Sequence, residues 1–303
     1  FRSVARRVPG GVLIFFPSYR LLDRVYEWMH QATFIRQIEF NKIVVKEPKR
    51  SSDLTGVMSQ YEAAIANPKS FGPGVTGSLM FAVFRGKVSE GIDFIDDMAR
   101  CVVSIGIPYP NAMDELVQEK KKYNNENSQK LRILTGDQWY TSQAYRALNQ
   151  ALGRCLRHRG DWGSIVMVDE RLAVPTHQPL LAASAASSAA RVSRWIRDQT
   201  VNYDVYKEFE ADLESFIERM TKPVMLPRTR NELISQEIQV TLVHRNPSAS
   251  TDDDRFAARL HVTAGTIRLR PIDSTKRGIK MGCALFAGPP SAPSTEEGEG
   301  EGE

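Results

Sequence analysis

One short run near the middle of the chain, NQALGRCLRHRGDWG at 149–163, holds two amide side chains, three glycines and four basic side chains. Gln150, Arg154 and Arg157 are spaced i, i+4 and i+7, which would place them on one face of a helix. Because arginine forks pair with phosphate oxygens and stay charged, the pattern predicts an anion clamp for a transferring phosphoryl group. Gly153 would let a ligand or another backbone approach closely. A helix with a solvated basic face is the alternative.

A second group of small and polar residues follows an apolar segment, in FRGKVSEGIDF at 84–94. Directly after a buried strand, this stretch is predicted to form an exposed loop at the carboxyl edge of a sheet. Glu90 and Asp93 could bind ribose hydroxyls or orient water, and backbone amides near Gly86 could meet a phosphate. A glycine-containing turn without a ligand is the alternative. The phosphate-binding pattern G-x-x-x-x-G-K-[ST] is absent from the sequence.

Two further segments place polar or aromatic residues at predicted strand ends. In FFPSY, at 15–19, a proline ends a strand and Ser18 can cap the next helix. This interpretation is preferred to one in which Ser18 and Tyr19 touch a nucleic-acid backbone. In GIPYPN, at 106–111, Tyr109 could stack on a base, although packing beneath a loop is the preferred interpretation.

Apolar runs alternate with amphipathic stretches from the start of the chain to about residue 170. Apolar strands separated by helices imply a parallel sheet covered on both faces, and right-handed crossovers then give a doubly wound α/β domain. Ligands of such folds bind outside the carboxyl ends of the strands. The predicted strands are 11–16, 42–46, 78–84, 100–107 and 163–169, and the predicted helices are 17–30, 53–66, 112–126 and 139–158.

The pattern changes after residue 172. A low-complexity segment at 180–190 indicates a linker or a weak helix, and 190–220 is predicted to be an amphipathic helix. Two later segments, 237–244 and 259–272, could be strands. The end of the chain is rich in glycine and glutamate and is expected to be disordered.

The net charge of +4 hides an uneven distribution. The last eight residues carry five glutamates and no bases, so removing them from the total leaves residues 1–295 at +9. A basic body suits a polyanionic partner such as nucleic acid, although a merely soluble basic surface fits equally well. Three cysteines and five histidines show no metal-ligand spacing, which predicts a reducing compartment and no metal site in this chain. No apolar run approaches the ~20 residues of a membrane span.

Taken in order, FFPSY, VSEGIDF, GIPYPN and the run from Gln138 to Gly163 resemble motifs four, five and six of superfamily-two DNA helicases. More narrowly, the chain looks like the XPD-like group with an iron–sulfur cluster, and its last run is most similar to helicases of the Fanconi anaemia group J type. The resemblance covers residues 8–220. The implied organisation is a RecA-like, doubly wound second motor domain at 1–172, a helical extension at 173–222, an unassigned part at 223–287 and a disordered acidic tail at 288–303.

The same resemblance implies that ATP with Mg²⁺ binds between this domain and a first motor domain, and that DNA runs along the pair. Three residues would face the γ-phosphate, the arginines as fingers: Gln150, Arg154 and Arg157. Four would close the nucleotide site and couple it to DNA: Glu90, Gly91, Asp93 and Gly153. Four would lie along the single strand: Ser18, Tyr19, Gly86 and Lys87.

Features of the first motor domain are expected outside these residues, which contain no Walker A motif, DEAH box or four-cysteine cluster. The opening FRSVARRVPGG, with neither an initiator Met nor a secretory signal, suggests a piece of a longer protein. We therefore expect half of a nuclear DNA-repair helicase, inactive towards ATP by itself. Its expected partners are single-stranded and duplex DNA, DNA-repair proteins and a first motor domain that carries the iron–sulfur cluster. The alternatives are a non-catalytic DNA- or protein-binding module and a phosphate-binding α/β domain of another NTPase class.

Overall fold

The computed structural model describes residues 1–157, 161–172, 188–203, 205–222 and 281–287. The chain divides into two compact units, one formed by Phe1–Thr221 with Arg277–Glu303 and the other by Lys222–Lys276. Apart from Lys222, the second unit lies outside the described residues. The architecture is therefore that of the first unit.

Five parallel strands form the sheet of this unit. They are β1 (Gly10–Phe16), β2 (Ile43–Lys46), β3 (Gly77–Val83), β4 (Cys101–Ile105) and β5 (Trp162–Val168). Their order is β2-β3-β1-β4-β5, so the chain runs from β1 to one side of the sheet and later to the other. In register, Ile14 lies between Phe81 on β3 and Val103 on β4. The predicted doubly wound parallel sheet is confirmed, and each strand lies within two residues of its predicted bounds.

Two antiparallel strands extend the sheet beyond β5. β6 (Thr200–Tyr203) pairs with β7 (Met281–Ala287), which in turn pairs with β5. The sequence predicts neither strand, because 281–287 falls in the unassigned part and 200–203 falls inside the helix predicted for 190–220. That single helix is wrong: its first half is interrupted by β6, whose β-branched and aromatic residues suit a strand and whose backbone hydrogen-bonds to β7.

Nine α-helices occur among the described residues. They are α1 (Arg2–Arg7), α2 (Tyr19–Gln31), α3 (Phe34–Glu39), α4 (Leu54–Ala66), α5 (Lys87–Gly91), α6 (Glu115–Leu131), α7 (Gly136–Leu152), α8 (Arg194–Arg197) and α9 (Tyr206–Thr221). Of these helices, none is long and apolar enough to cross a membrane.

The strands feed one apolar layer on each face of the sheet, because successive side chains point to opposite faces. On β1, Leu13 and Phe15 pack with α4 and α7, whereas Val12, Ile14 and Phe16 pack with α1, α2, α3 and α9. Every residue of β1 and β3 is buried, which is why these strands appear in the sequence as continuous apolar runs.

Several predictions fall outside the described residues. These are most of the linker at 180–190, the candidate strands at 237–244 and 259–272, and the acidic tail at 288–303. The domain boundaries at 172 and 222 stay predictions.

Candidate functional site

The helix that carries the start of the run at 149–163 ends earlier than its sequence predicts. α7 begins at a capping box between Thr135 and Gln138 and ends at Leu152, before a 3₁₀ turn at Gly153–Cys155. The predicted helix over 139–158 is therefore wrong at its carboxyl end. Glycine is a poor helix former, and the turn directs the following side chains towards another segment of the chain.

As a result, Gln150, Arg154 and Arg157 do not form one helical stripe, and that prediction is wrong. Gln150 is exposed on α7, Arg154 lies in the 3₁₀ turn, and Arg157 lies beyond it. Both arginine side chains bind the segment 89–94, which follows β3. The carbonyl and carboxylate oxygens of this segment accept hydrogen bonds from both guanidinium groups. On a longer helix the guanidinium groups would have hydrogen-bonded to solvent instead.

The Arg154 guanidinium is held by two backbone carbonyls. Its Nη1 donates to the Ile92 carbonyl at 2.6 Å, and its Nη2 donates to the Ser89 carbonyl. Burial lowers the pKa of Arg154, and the neighbouring Arg157 lowers it further. Because an arginine stays protonated in proteins, Arg154 brings a permanent cation to the end of α5 and fixes that end to the 3₁₀ turn.

Arg157 is held chiefly by an ion pair. Its Nη2 lies 2.6 Å from Oδ1 of Asp93, and its Nε donates to the Phe94 carbonyl at 3.3 Å. The two charged side chains are 30% and 66% exposed. Such partly exposed pairs contribute at most about 1 kcal/mol to stability. Another anion could therefore compete with Asp93 for this guanidinium.

The predicted loop after β3 contains the short helix α5, with Gly86 as its N-cap. The expected loop conformation is wrong because Val88 and Ser89 are buried and draw the backbone into a helical turn. The exposure predicted for the following residues is correct: Glu90, Gly91 and Asp93 all face solvent.

Gly91 and Gly153 stand beside open space. A Cβ atom added to either glycine would meet no other atom within 4 Å, and neither has a positive φ. Packing within the described chain therefore does not require glycine at these positions. A close approach by a ligand or by another domain would require it.

Two adjoining grooves border α5, one of about 420 Å³ and one of about 390 Å³, and Gly91 lines both. The 420 Å³ groove includes Ser51, Arg85, Lys87 and Glu90, and the 390 Å³ groove includes Thr55, Ser59, Glu62 and Asp93. Polar and charged side chains thus line α5 from the carboxyl edge of the sheet to Asp93, the partner of Arg157.

A buried carboxylate, Glu47, organises the carboxyl edge. Glu47 directly follows β2 and is 1% exposed. Its Oε2 accepts the Val83 amide at 2.8 Å, and its Oε1 accepts the Tyr19 hydroxyl at 2.9 Å and the Val88 amide at 3.4 Å. Burial, followed by the Glu47 charge and hydrogen bond, raises the pKa of Tyr19 well above its usual range. Sequence reasoning misses Glu47, because it follows Lys46 in KIVVKEPKR and looks like one of several charged residues at the end of β2.

Gly86 and Lys87, which are predicted to bind nucleic acid, also lie around Glu47. A Cβ atom on Gly86 would come within 2.3 Å of the Glu47 carboxylate, so this position requires glycine. The Lys87 ammonium donates to the Lys49 carbonyl at 2.8 Å and lies 6.0 Å from the centre of the Tyr19 ring. The fold therefore brings Tyr19, Gly86 and Lys87 together.

The cap predicted for Ser18 is confirmed, and Tyr109 is partly buried, although it packs against a residue of α7 rather than beneath a loop. Ser18 is the N-cap of α2, and its hydroxyl accepts the Leu21 amide at 3.2 Å. Tyr109 packs against Tyr140, with 5.4 Å between the ring centres, and the Arg171 guanidinium lies 5.6 Å from the Tyr109 ring.

Arg157 and the nucleic-acid candidates lie towards opposite ends of the strands. The nucleic-acid candidates follow β1 and β3 and so lie at the carboxyl edge, as predicted. Arg157 lies instead near the amino end of β5, because its amide donates at 3.1 Å to Asp161, the residue before that strand. The expectation of a ligand site confined to the carboxyl edge does not hold for Arg157.

Cys101 and Cys155 are buried, and the Cys155 thiol donates to the Ser164 carbonyl at 3.4 Å. Burial raises the pKa of Cys101 to about 11. Within the part of the chain that the structure describes, no three His, Cys, Asp or Glu side chains are placed to hold a metal ion.

Comparisons with known proteins identify the family. Residues 1–188 match the family model of the helicase C-terminal domain. The chain is 36% identical over 292 residues to the Fanconi anemia group J protein homolog of Gallus gallus and 32% identical over 276 residues to regulator of telomere elongation helicase 1 of Mus musculus. These alignments cover 91% and 89% of this chain. The chain belongs to the helicase C-terminal domain family, and the predicted resemblance to XPD-like helicases of superfamily two is confirmed.

The alignments cover a small part of each relative. The chain spans 22% of the length of both of these proteins, and 24% of the ATP-dependent DNA helicase DDX11 of Danio rerio, to which it is 33% identical over 220 residues, 72% of this chain. A solved structure, that of S. tokodaii Xpd4, matches 54% of this chain and 28% of that chain with 20% identity and a TM-score of 0.33. This structural likeness is too weak to support an argument, so the family assignment rests on the sequence matches.

Proposed function

We propose that this helicase C-terminal domain is the second motor half of an ATP-dependent DNA helicase that acts in DNA repair. In this proposal, ATP with Mg²⁺ binds between it and a first motor domain. Arg157 faces the γ-phosphate as an arginine finger, Arg154 adds a second cation beside it, and Gln150 lies at the rim.

The observation that carries the proposal is the ion pair between Arg157 and Asp93. The guanidinium is already oriented, with 2.6 Å between its Nη2 and a carboxylate oxygen whose side chain is 66% exposed. A phosphate offers the same bidentate geometry as a carboxylate and carries more charge. A γ-phosphate could therefore replace Asp93 by exchange of one anion for another. Arg154 is bound to two carbonyls, so we assign it the additional task of holding α5 in place.

The surroundings of this pair leave room for a nucleotide. Gly91 and Gly153 border open space, and Glu90 is exposed beside them at the end of α5. When bound, ATP would supply the phosphoryl group that is transferred to water. This chain would supply oriented cations and one wall of the site, and an arginine finger typically accelerates such a transfer by about 10³- to 10⁵-fold.

We assign DNA to the carboxyl edge of the sheet, along Ser18, Tyr19, Gly86 and Lys87. The charge of +9 over residues 1–295 supports a polyanionic partner. The names of the relatives, which include a DNA helicase and a Fanconi anemia protein, favour DNA repair in the nucleus. Single-stranded and duplex DNA, DNA-repair proteins and a first motor domain with its iron–sulfur cluster complete the proposal.

The test is Arg157→Ala in the polypeptide that joins this chain to a first motor domain. We expect DNA-stimulated ATP turnover to fall by about 10³-fold or more. Binding of single-stranded DNA should be largely kept, because the nucleic-acid candidates lie at the other end of the strands. Turnover is measured by phosphate release and DNA binding by fluorescence anisotropy.

Arg146→Ala is the matched control, since Arg146 is an exposed arginine on the same helix, α7, and its loss should leave turnover unchanged. Full turnover in Arg157→Ala would refute the finger assignment. DNA binding without any ATP turnover by the unmutated two-domain polypeptide would favour the non-catalytic binding module. The 303-residue chain by itself is expected to show no DNA-stimulated turnover.

A further inference from the structure

The backbone of Arg157 is held by a buried carboxylate that has no part in the proposed phosphate contacts. Oδ2 of Asp161 accepts the Arg157 amide at 3.1 Å, and Oδ1 accepts the Trp162 amide at 2.9 Å. Asp161 is 2% exposed. Because solvent has little access to this carboxylate, its position is set by the protein groups around it.

Arg100 anchors that carboxylate to the sheet. Its Nη1 lies 2.5 Å from Oδ1 of Asp161 and also donates to the Trp162 carbonyl at 2.8 Å, with the guanidinium 4.6 Å from the Trp162 ring centre. The Arg100 backbone donates to Gly11 at 2.9 Å and accepts from Ser164 at 3.0 Å. The Asp161 carboxylate is therefore fixed relative to the amino ends of β1, β4 and β5.

The same guanidinium also reaches the 3₁₀ turn at Asp96–Ala99, which follows the segment 89–94 that binds the Arg157 side chain. Nε of Arg100 donates at 2.8 Å to Asp97, which lies four residues after Asp93 in the sequence. Arg100 thus links the carboxylate that holds the Arg157 backbone to the turn that follows the segment 89–94. This precision matters, because a displacement of about 1 Å can slow a catalysed reaction by about 100-fold.

We infer that Asp161 is a positioning residue for Arg157, and that it sets the direction from which the guanidinium meets the nucleotide phosphate. The inference rests on the proposed function, in which Arg157 faces the γ-phosphate. Asp161 acts through the Arg157 amide and does not touch the phosphate. A carboxylate with a merely structural role would stabilise the fold without any specific effect on what Arg157 does.

The test is a double-mutant cycle between Asp161→Asn and Arg157→Ala in the polypeptide that carries both motor domains. Asparagine keeps the size of aspartate but removes the charge that binds Arg100. With Arg157 present, we expect kcat for DNA-stimulated hydrolysis to fall by about 10- to 100-fold. The KM for ATP and the affinity for single-stranded DNA should change little, since the bound anions are unchanged. In the Arg157→Ala background, adding Asp161→Asn should leave the single-turnover rate unaltered.

Thermal unfolding separates this effect from a loss of folded protein. Asp161→Asn should lower Tm equally in both backgrounds, whereas the loss of rate should appear only where Arg157 is present. Asp212→Asn is the control, because the Asp212 carboxylate on α9 also accepts a hydrogen bond, from the Tyr203 hydroxyl at 2.9 Å. The kcat of this variant should equal that of the unmutated protein. If Asp161→Asn does not fold, Asp161→Glu goes through the same cycle, since it keeps the charge but shifts the carboxylate by one methylene.

An equal fractional loss of rate in both backgrounds would overturn the inference, and so would an unchanged kcat in a folded Asp161→Asn variant. Either result would leave the assignment of Arg157 intact. Full turnover in Arg157→Ala alone would instead overturn the proposed function, and the positioning role with it.

Discussion

Two buried carboxylates, Glu47 and Asp161, hold the two candidate groups of this domain, and they do so in different ways. Glu47 lies at the carboxyl edge of the sheet and accepts hydrogen bonds from two amides and a phenol. Asp161 lies at the amino end of β5 and forms an ion pair with Arg100 at 2.5 Å, with both side chains almost fully buried. The first carboxylate is held by neutral donors alone, whereas the second is held by two backbone amides together with a charged guanidinium.

This difference determines how the stability of each group should respond to mutation. Each bond to a neutral donor contributes modestly, so one can be weakened while the others keep Glu47 in place. A buried ion pair behaves differently, because removing one partner leaves the other charge buried and uncompensated. We therefore expect the nucleic-acid side of the domain to tolerate change better than the arginine side.

The largest effect is expected for Arg100→Met, which breaks the buried ion pair while keeping a long apolar side chain. The free energy of unfolding should fall by about 3 to 5 kcal/mol, because Asp161 is left charged and buried. Urea denaturation of the 303-residue chain, followed by circular dichroism, measures this change.

Arg194→Met is the matched control, since Arg194 pairs with Asp198 at 3.5 Å and its side chain is 76% exposed. Its loss should cost at most about 1 kcal/mol. Equal costs for Arg100→Met and Arg194→Met would remove the distinction between the two carboxylates.

A smaller effect is expected for Glu47→Gln, which keeps the shape of the side chain and one acceptor oxygen. The free energy of unfolding should fall by about 1 to 3 kcal/mol, because the new amide group faces a backbone amide and leaves it without an acceptor. The same denaturation measurement applies. Glu27→Gln, on the exposed face of α2, should change stability by less than about 0.5 kcal/mol. A cost for Glu47→Gln as large as that of Arg100→Met would contradict the comparison.

The sequence predicts the centre of the sheet well and its edge poorly. β1 and β3 are buried along their whole length, so their apolar runs alone indicate strands. The Ser18 cap is equally accessible to sequence reasoning, because the cap is a contact between residues three apart in the chain. β6 is short, and it is a strand because β7 arrives from a distant part of the chain to pair with it. No local pattern contains that information.

The candidate site shows the same limit at the level of side chains. The spacing of Arg154 and Arg157 marks two residues that bind the same segment, 89–94, but wrongly implies a shared helical face. Their partners, Ser89 and Asp93, lie more than sixty residues away in the sequence. Periodicity within a segment cannot show that these oxygens offer better partners than solvent does.

A third buried charge, Lys42, sharpens the comparison, because its ammonium is held by neutral acceptors. Its Nζ donates to the Gly10 carbonyl at 2.7 Å and to the Thr76 carbonyl at 3.4 Å, and the residue is fully buried. Burial lowers the pKa of Lys42 to about 7, from an ordinary value of 10.5. Between these two pH values the unfolded chain binds a proton that the folded chain has lost. The free energy of unfolding should therefore rise with pH, by about 1 kcal/mol per pH unit from this group.

Below pH 7 both states carry the proton, and the full cost of the buried ammonium is felt. Denaturation of the 303-residue chain at pH 7 and pH 9 should therefore show a gain in stability that Lys42→Met lacks. Lys46→Met should retain the gain, because Lys46 is exposed and pairs with Asp23 at 3.1 Å. If the difference between Lys42→Met and the unmutated chain does not change with pH, the ammonium stays protonated in the folded chain throughout this range. Backbone carbonyls would then stabilise the buried Lys42 ammonium as well as Asp161 stabilises Arg100. The expected difference between neutral and charged partners would not hold for buried cations.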